Sequence, residues 1–311
     1  MRVLVTGGSG FLGAWVVRQL AEAGHEPLVF DVVGDRSKVA EIAGQRLARD
    51  MVWVVGDVRK AQDVGIAAQD CDAIIHLAGV LTPACQQSPV RGAEINLIGT
   101  LNVFEAARQQ GIGSIAYAST AGVFGRHDSQ QPWPETHYGA FKLACEGSAR
   151  AYWHDAGVGS VGFRPFVVYG PGRDTGLSAG PSLACRAAAR GEAYVLPFSG
   201  RCGMVYVEDA AALFVQAAVR RHQGAHVFNL VGEEASVDDV IDGIRAIVPE
   251  ARLSSEGPTL PIAVGQDEAG LREHFPDTVR TSLADGLKAT VRFYQGQPAQ
   301  ALDRSGSGAL A

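Results

Sequence analysis

Tyr138 and Lys142 lie four residues apart in the stretch His137-Tyr138-Gly139-Ala140-Phe141-Lys142-Leu143-Ala144-Cys145-Glu146, which reads as the start of a helix continuing through Tyr152. That spacing puts both side chains on one helical face. A free tyrosine titrates near ~10. A neighbouring ammonium favours the phenolate and makes the phenol a usable general base or acid near neutrality. Lysine is scarce, confined to Lys38, Lys60, Lys142 and Lys288, and an ammonium is also a compact donor able to reach a ribose. Upstream, Ser119 and Thr120 stand at the carboxyl end of the apolar run Ser114-Ile115-Ala116-Tyr117-Ala118. Ligands of open α/β sheets bind at such strand exits, where a hydroxyl can hydrogen-bond a substrate oxygen.

The first turn of the chain offers a cofactor site to go with this acid–base pair. Thr6-Gly7-Gly8-Ser9-Gly10-Phe11-Leu12-Gly13 follows the apolar run Val3-Leu4-Val5 and precedes a helical pattern from Ala14 to Ala23. Gly8-x-Gly10-x-x-Gly13 and the overlapping Gly7-x-x-Gly10-x-x-Gly13 suit a dinucleotide. Glycines let the backbone approach a pyrophosphate, and the helix N-terminus presents N–H groups and positive dipole to it. A second strand, Pro27–Asp31, ends in a carboxylate 18 residues after Gly13. An acid there accepts from both ribose hydroxyls and repels a 2′-phosphate, selecting NAD over NADP; nearby Arg36 leaves the NADP question open. Asp57, at the exit of the third strand Met51–Val55, can accept from the adenine amino group or cap the next helix. Cys71 to Gly79 reads as a fourth strand whose small exit residues, Ala78 and Gly79, let backbone lie against the cofactor. Within it His76 reads as a packed strand-end histidine. Asn96, inside a helical pattern from Val90 to Gln109, is placed to cap, to kink the helix, or to hold a water.

The remaining chain supports a parallel sheet with a smaller appendage. A polar helix is expected from Ser37 to Ala48 and a sixth strand from Ser160 to Val168, whose exit residues Pro165, Val167 and Val168 would pack near a nicotinamide. Gly170-Pro171-Gly172-Arg173-Asp174 then leaves the sheet. The expected organisation is a dinucleotide-binding domain over residues 1–168, to which 203–222 return. A smaller substrate-binding region is expected from 169–202 and 223–295. That region includes a helix near Ser182 to Arg190, an extended run Val227–Leu230, and helices Ser236–Val248 and Ser282–Tyr294. Residues 296–311, rich in Gly, Ala and Ser, read as a disordered tail.

Composition narrows the partners. With 311 residues, 47% hydrophobic and 19% charged, the chain has ample material for a core. A net charge of −6 and the lack of a basic block argue against nucleic acid or an anionic membrane. No apolar run approaches the ~20 residues that span a bilayer, and a core strand at the very start leaves no room for a signal peptide. Five dispersed cysteines, Cys71, Cys85, Cys145, Cys185 and Cys202, read as reduced thiols of a cytoplasmic protein. Neither they nor the histidines have metal-ligand spacing.

As an ordered set these segments resemble the extended short-chain dehydrogenase/reductases, the NAD-dependent epimerase/dehydratase family. The likeness runs from the Thr6–Gly13 turn through Asp57-Val58, His76-Leu77-Ala78-Gly79, Asn96-x-x-Gly99-Thr100 and Ser119-Thr120-Ala121-Gly122-Val123-Phe124-Gly125. It continues with Tyr138-Gly139-x-x-Lys142 and Arg164-Pro165-Phe166-Val167-Val168-Tyr169-Gly170-Pro171-Gly172, and more weakly with Val205-Tyr206-Val207-Glu208-Asp209. The resemblance implies an α/β Rossmann-type doubly wound parallel sheet with a smaller C-terminal substrate-binding region. It also implies a catalytic set of Thr120, Tyr138 and Lys142, with Ser119 the alternative hydroxyl. NAD would lie against Gly7, Gly10, Phe11, Leu12, Gly13, Asp31, Asp57, Val58, Leu77, Ala78, Gly79, Asn96, Ala118, Tyr138, Lys142, Pro165, Val167 and Val168. Ser119, Thr120, Arg173 and Arg201 would face the substrate.

Two departures matter. The family's 4,6-dehydratases carry Asp-Glu directly after the catalytic Thr, where this chain has Ala121 and Gly122, which disfavours elimination. Nucleotide-sugar enzymes of the family bring an Arg two residues before the Val-Tyr-Val segment. Here the nearest is Arg201, displaced, which favours a smaller hydroxy or keto compound over a nucleoside diphosphate. Three functions stay open: an NAD-dependent oxidoreductase at a secondary alcohol or ketone, a nucleotide-sugar 4-epimerase with tightly held NAD, and a non-catalytic dinucleotide sensor. The resemblance also implies a homodimer through the helices beginning at Val90 and Thr136.

Overall fold

In a computed structural model, residues 1–296 are described; beyond Gly296, the expected tail lies outside the described residues. The strands are β1 (Arg2–Thr6), β2 (Glu26–Asp31), β3 (Val52–Val55), β4 (Ala73–His76), β5 (Ile115–Ala118), β6 (Ser160–Pro165), β7 (Val167–Tyr169), β8 (Tyr194–Leu196), β9 (Arg201–Tyr206), β10 (Ala225–Leu230), β11 (Glu233–Ser236) and β12 (Leu253–Ser255). Seven of them form a parallel sheet in the order β10-β6-β5-β4-β1-β2-β3.

Successive residues of these strands feed opposite cores. Val3 and Val5 join one apolar cluster and Leu4 the other; Val29 is likewise separated from Leu28 and Phe30, and Ile75 from Ile74. A parallel sheet covered on both faces needs apolar residues at every position, which is why its strands appear as unbroken hydrophobic runs. The helices Phe11–Glu22 and Val207–Ala218 pack together over one face, while Ala61–Ala67, Gly99–Gln110 and His137–Ala156 cover the other. This is the Rossmann-type doubly wound architecture. Strand order reverses between β1 and β4, so the carboxyl ends of β1, β4 and β5 border the crevice where such sheets bind ligands.

The structure changes four expectations. The run at Val227–Leu230, assigned to the smaller region, belongs to β10 and closes the edge of the main sheet, parallel to β6 from Ala225↔Ser160 to Leu230↔Pro165. An edge strand is only half-covered, and polar His226 and Asn229 mask its sheet membership in the sequence. The expected Ser160–Val168 strand is two strands. Pro165 cannot donate to a ladder, and after it β7 leaves the main sheet to pair with β9 in the three-stranded sheet β11-β9-β7. Consequently β9 lies in that smaller sheet, and it is the following helix, Val207–Ala218, that packs beneath the main one. Finally, the Ser37–Ala48 helix breaks into Ser37–Ala43 and Gln45–Asp50 at Gly44, whose φ is +90°. Among the described residues no helix is long and apolar enough to cross a membrane.

Candidate active site

The glycine turn joins β1 to the helix Phe11–Glu22. Gly7 N donates to Phe30 O at 2.9 Å and Gly10 N to Gly7 O at 3.1 Å. Gly7 has φ +71°, and a Cβ there would lie 2.7 Å from Ala78 N; one on Gly13 would lie 2.3 Å from Gly7 O. Backbone from Leu77–Ala78 and the helix start therefore close on the turn as only glycine permits. No side chain caps the helix that follows, so the N–H groups of Phe11, Leu12 and Gly13 form a cradle suited to a diphosphate. Asp31, ending β2, holds the rim: it accepts from Ser9 Oγ at 2.5 Å, Ser9 N at 3.2 Å and Val32 N at 2.8 Å. The cradle and this carboxylate fit a dinucleotide with a free ribose diol. Arg36 is occupied elsewhere, donating to Ala48 O and Arg49 O and stacking 5.2 Å from the Trp53 ring centroid. Asp57 is claimed by Arg59 through backbone and guanidinium, the latter at 2.9 Å from Nε, and that guanidinium lowers its pKa. Val58 is buried against Gly99, with its carbonyl accepting from Asn102 Nδ2 at 2.8 Å.

Beside the turn lies a buried polar hub. His76 Nδ1 meets Thr6 Oγ1 at 2.6 Å, and its Nε2 meets Thr100 Oγ1 at 3.0 Å. Thr100 gives its own proton to Asn96 O at 2.6 Å, so His76 Nε2–H donates and Nδ1 accepts from Thr6. Burial, then the charge of Lys142, lowers the His76 pKa to about 3. Asn96 sits in a π-helical turn, Glu94–Ile98. Its amide receives Val80 N at 3.2 Å and donates to Val80 O at 3.0 Å and Gly92 O at 3.1 Å. It thereby fixes the chain after β4. A Cβ on Gly79 would meet Asn96 Oδ1 at 2.6 Å and Lys142 Nζ at 3.7 Å, which puts the lysine ammonium at the exit of β4.

Thr136 caps the helix His137–Ala156 by accepting from Gly139 N at 3.0 Å, so Tyr138 stands in its first turn, where the helix dipole favours an anion. A Cβ on Gly139 would lie 2.4 Å from Gly122 O; that first turn thus abuts the short turn Ala121–Val123 that Thr120 caps. Lys142 is buried and its Nζ stands 5.9 Å from the Tyr138 ring centroid. The two groups share one site, but their charges behave differently from the expectation. Burial raises the Tyr138 pKa, and the group that opposes this is the Arg173 guanidinium; Lys142 is itself lowered by burial. The ammonium lies over the ring, and desolvation dominates both groups.

Ser119 and Thr120 diverge. Thr120 Oγ1 accepts from Gly122 N at 3.1 Å. Ser119 Oγ donates to Glu146 Oε1 at 2.5 Å, and Glu146, fully buried, takes Arg164 Nε at 2.8 Å and Nη2 at 2.6 Å. Glu146 ties the helix bearing Tyr138 and Lys142 to the ends of β5 and β6. Sequence reasoning gave it no role, although it lies one turn beyond Lys142 on the same face. Ala118 ends β5 and Pro165 ends β6, while Val167 and Val168 are buried in β7. Val168 O accepts from Arg173 Nη1, so the structure brings β7 and Arg173 together. Arg201 goes elsewhere, donating to Glu234 O at 3.1 Å and standing 3.8 Å from Asp239.

A family model described as the NAD dependent epimerase/dehydratase family matches residues 3–231. Among curated proteins, the chain is 32% identical over 222 residues to a 2-alkyl-3-oxoalkanoate reductase of Stenotrophomonas maltophilia, a match covering 68% of this chain and 63% of the reductase. It is 27% identical to a UDP-glucose 4-epimerase of Azospirillum brasilense, over 98% of this chain and 95% of that one. Among solved structures, the Thermus thermophilus UDP-glucose 4-epimerase in complex with NAD superposes with a TM-score of 0.81 at 25% identity, covering 95% of this chain and 99% of the other.

Proposed function

The chain belongs to the NAD-dependent epimerase/dehydratase family and is an NAD-dependent enzyme; within that family we propose an oxidoreductase acting at a secondary carbinol or ketone carbon of a sugar-like or small hydroxy compound. One observation carries this reading: Lys142, buried and 5.9 Å from the Tyr138 ring centroid, lies on a helix whose first turn abuts the turn capped by Thr120. Gly7, Gly10, Phe11, Leu12 and Gly13 would hold the diphosphate of NAD and Asp31 its ribose. When bound, NAD supplies the hydride acceptor. Thr120 donates a hydrogen bond to the carbinol oxygen and Tyr138 takes its proton. Arg173 and the helix N-terminus favour, against burial, the phenolate form in which Tyr138 accepts that proton, and Lys142 stands over its ring. Run in reverse, the phenol returns the proton to a ketone oxygen. Ala121 and Gly122 supply neither acid nor base beside Thr120, which argues against elimination.

Of the two curated relatives named above, one is a reductase of a 2-alkyl-3-oxoalkanoate and the other an epimerase of UDP-glucose. A nucleotide-sugar 4-epimerase is the second reading, favoured by the nearly full-length likeness to UDP-glucose 4-epimerases. The two differ in outcome: an oxidoreductase releases NADH stoichiometrically, whereas an epimerase keeps its NAD through purification and yields no net NADH. We also propose a reducing, cytoplasmic setting, in keeping with five buried unpaired thiols. A homodimer face is proposed along the helices that begin at Pro89 and His137, where Val90 and Ile98 are exposed; sedimentation equilibrium at micromolar protein should return twice the chain mass.

The decisive variant is Tyr138→Phe. It should lose roughly 10²–10⁴ in turnover, keep NAD affinity, and lose the rise of rate with pH that the raised Tyr138 pKa gives the wild type. Wild-type turnover in this variant would remove Tyr138 as the base and the proposal with it.

A further inference from the structure

Arg173 follows β7 on the loop that leaves the sheet. Its Nη1 donates to Val168 O, its Nη2 to Ser178 Oγ at 2.8 Å, and its Cζ stands 5.7 Å from the ring centroid of Phe11, the first residue of the helix after the glycine turn. Tyr138 is close enough that each charge biases the other. The guanidinium therefore stands near both the cofactor turn and the proposed proton acceptor.

Both of its protein acceptors are neutral. Among the described residues no carboxylate stands within ion-pair distance of it: the adjacent Asp174 pairs instead with Lys38 at 2.8 Å, and Glu146 is taken by Arg164. Lys142, buried in the same cleft, also lacks a carboxylate partner there. Tyr138 and Asp174 favour the Arg173 charge without an ion pair, so burying the guanidinium remains costly and a bound anion offsets that cost. A guanidinium carries five N–H donors in a planar fork that matches a carboxylate; Val168 and Ser178 use only part of that set. Arg201, the other arginine offered to an anionic substrate, already has Glu234 O and Asp239 as partners.

We propose that Arg173 grips a carboxylate of the substrate, so that the substrate is a hydroxy acid and the product an oxo acid. The carbinol C–H leaves with its electron pair as hydride to NAD, the O–H proton passes to Tyr138, and the C–O bond becomes a carbonyl. This deepens the oxidoreductase reading and rests on it for the chemistry, but not for the binding preference.

The test uses the full chain with saturating NAD and matched acid and neutral probes: D-glycerate and glyceramide, D-gluconate and gluconamide, UDP-glucuronate and UDP-glucose. NADH formation and thermal shift are read for each. The expected result is that acids are oxidised with kcat/KM at least about 100-fold above their neutral partners, and that only acids raise the melting temperature. Arg173→Gln should shrink this preference below about fivefold with NAD affinity retained. Arg173→Lys, which keeps the charge but not the fork, should raise KM for acids more than it lowers kcat. Oxidation of neutral probes as fast as acids overturns the inference and leaves the oxidoreductase reading standing. Acid-selective thermal shifts that vanish in Arg173→Gln, without hydride transfer to NAD from any probe, uphold the carboxylate grip and sink the oxidoreductase reading. Loss of NAD affinity in Arg173→Gln with the acid preference intact assigns the guanidinium to the cofactor diphosphate and overturns the inference. So does the lack of a thermal shift with any acid.

Discussion

Ser119 gives its proton to Glu146, which is fully buried and already holds Arg164, whereas the Thr120 hydroxyl proton has no acceptor among the described residues. Two adjacent hydroxyls at one strand exit thus belong to different circuits, one closed and one open. Removing Ser119 Oγ leaves a buried carboxylate short of a charge-assisted hydrogen bond, which costs about 1–3 kcal/mol. Ser119→Ala should therefore lower the urea midpoint while changing kcat by less than about twofold. Thr120→Ala should do the opposite, leaving the midpoint nearly unmoved and cutting kcat/KM by on the order of 10² through loss of a donor to the reacting oxygen. A reversed pattern would make Ser119 the substrate contact.

The βα turn shows what one methyl group does to an element. At Gly13 an added Cβ meets Gly7 O at 2.3 Å and Gly8 Cα at 2.6 Å, backbone atoms that no rotamer change can move aside. Gly13→Ala should therefore spread the turn from the helix start and lower NAD affinity at least tenfold by fluorescence titration, with only a small change in far-UV circular dichroism. Unchanged affinity would mean that the cofactor does not depend on this cradle. The turn, Asp31 at the end of β2, and Tyr138 with Lys142 were legible in the sequence because each depends on spacing within one or two adjacent elements. The link from Glu146 to Ser119 and Arg164 was not, since it joins residues 27 and 18 positions apart from three elements. Nor was the balance at Tyr138, because its neighbour Arg173 arrives from a loop with no periodic pattern and desolvation leaves no mark on the sequence. The break at Phe166 had a visible cause in Pro165, but the sheet that β7 would join depends on β9 and β11, which lie far along the chain.

At the scale of the whole molecule, the two apolar clusters meet across a sheet whose centre carries one imidazole. His76 hydrogen-bonds across to β1 through Thr6 and to the helix Gly99–Gln110 through Thr100, so its protonation state is a property of the folded assembly. Both ring nitrogens are satisfied in the neutral form, and burial holds the folded pKa at about 3 against an ordinary value of 6.5. Between those values the unfolded chain binds a proton that the folded one refuses. Stability from this group is then fully present above pH 6.5 and is lost as pH falls towards 3. At pH 5 the loss is about 2 kcal/mol from the 1.4 kcal/mol carried by each pH unit below the unfolded pKa. His222 and His274, also lowered by burial, act in the same direction, while Glu208 and Asp209, raised by burial, act in the other; all four persist in a His76→Gln variant. The informative quantity is therefore the change in unfolding free energy between pH 7 and pH 5, measured by urea titration in both proteins. The wild type should lose about 2 kcal/mol more than His76→Gln over that interval, and equal losses would show that the imidazole takes up its proton without unfolding the sheet.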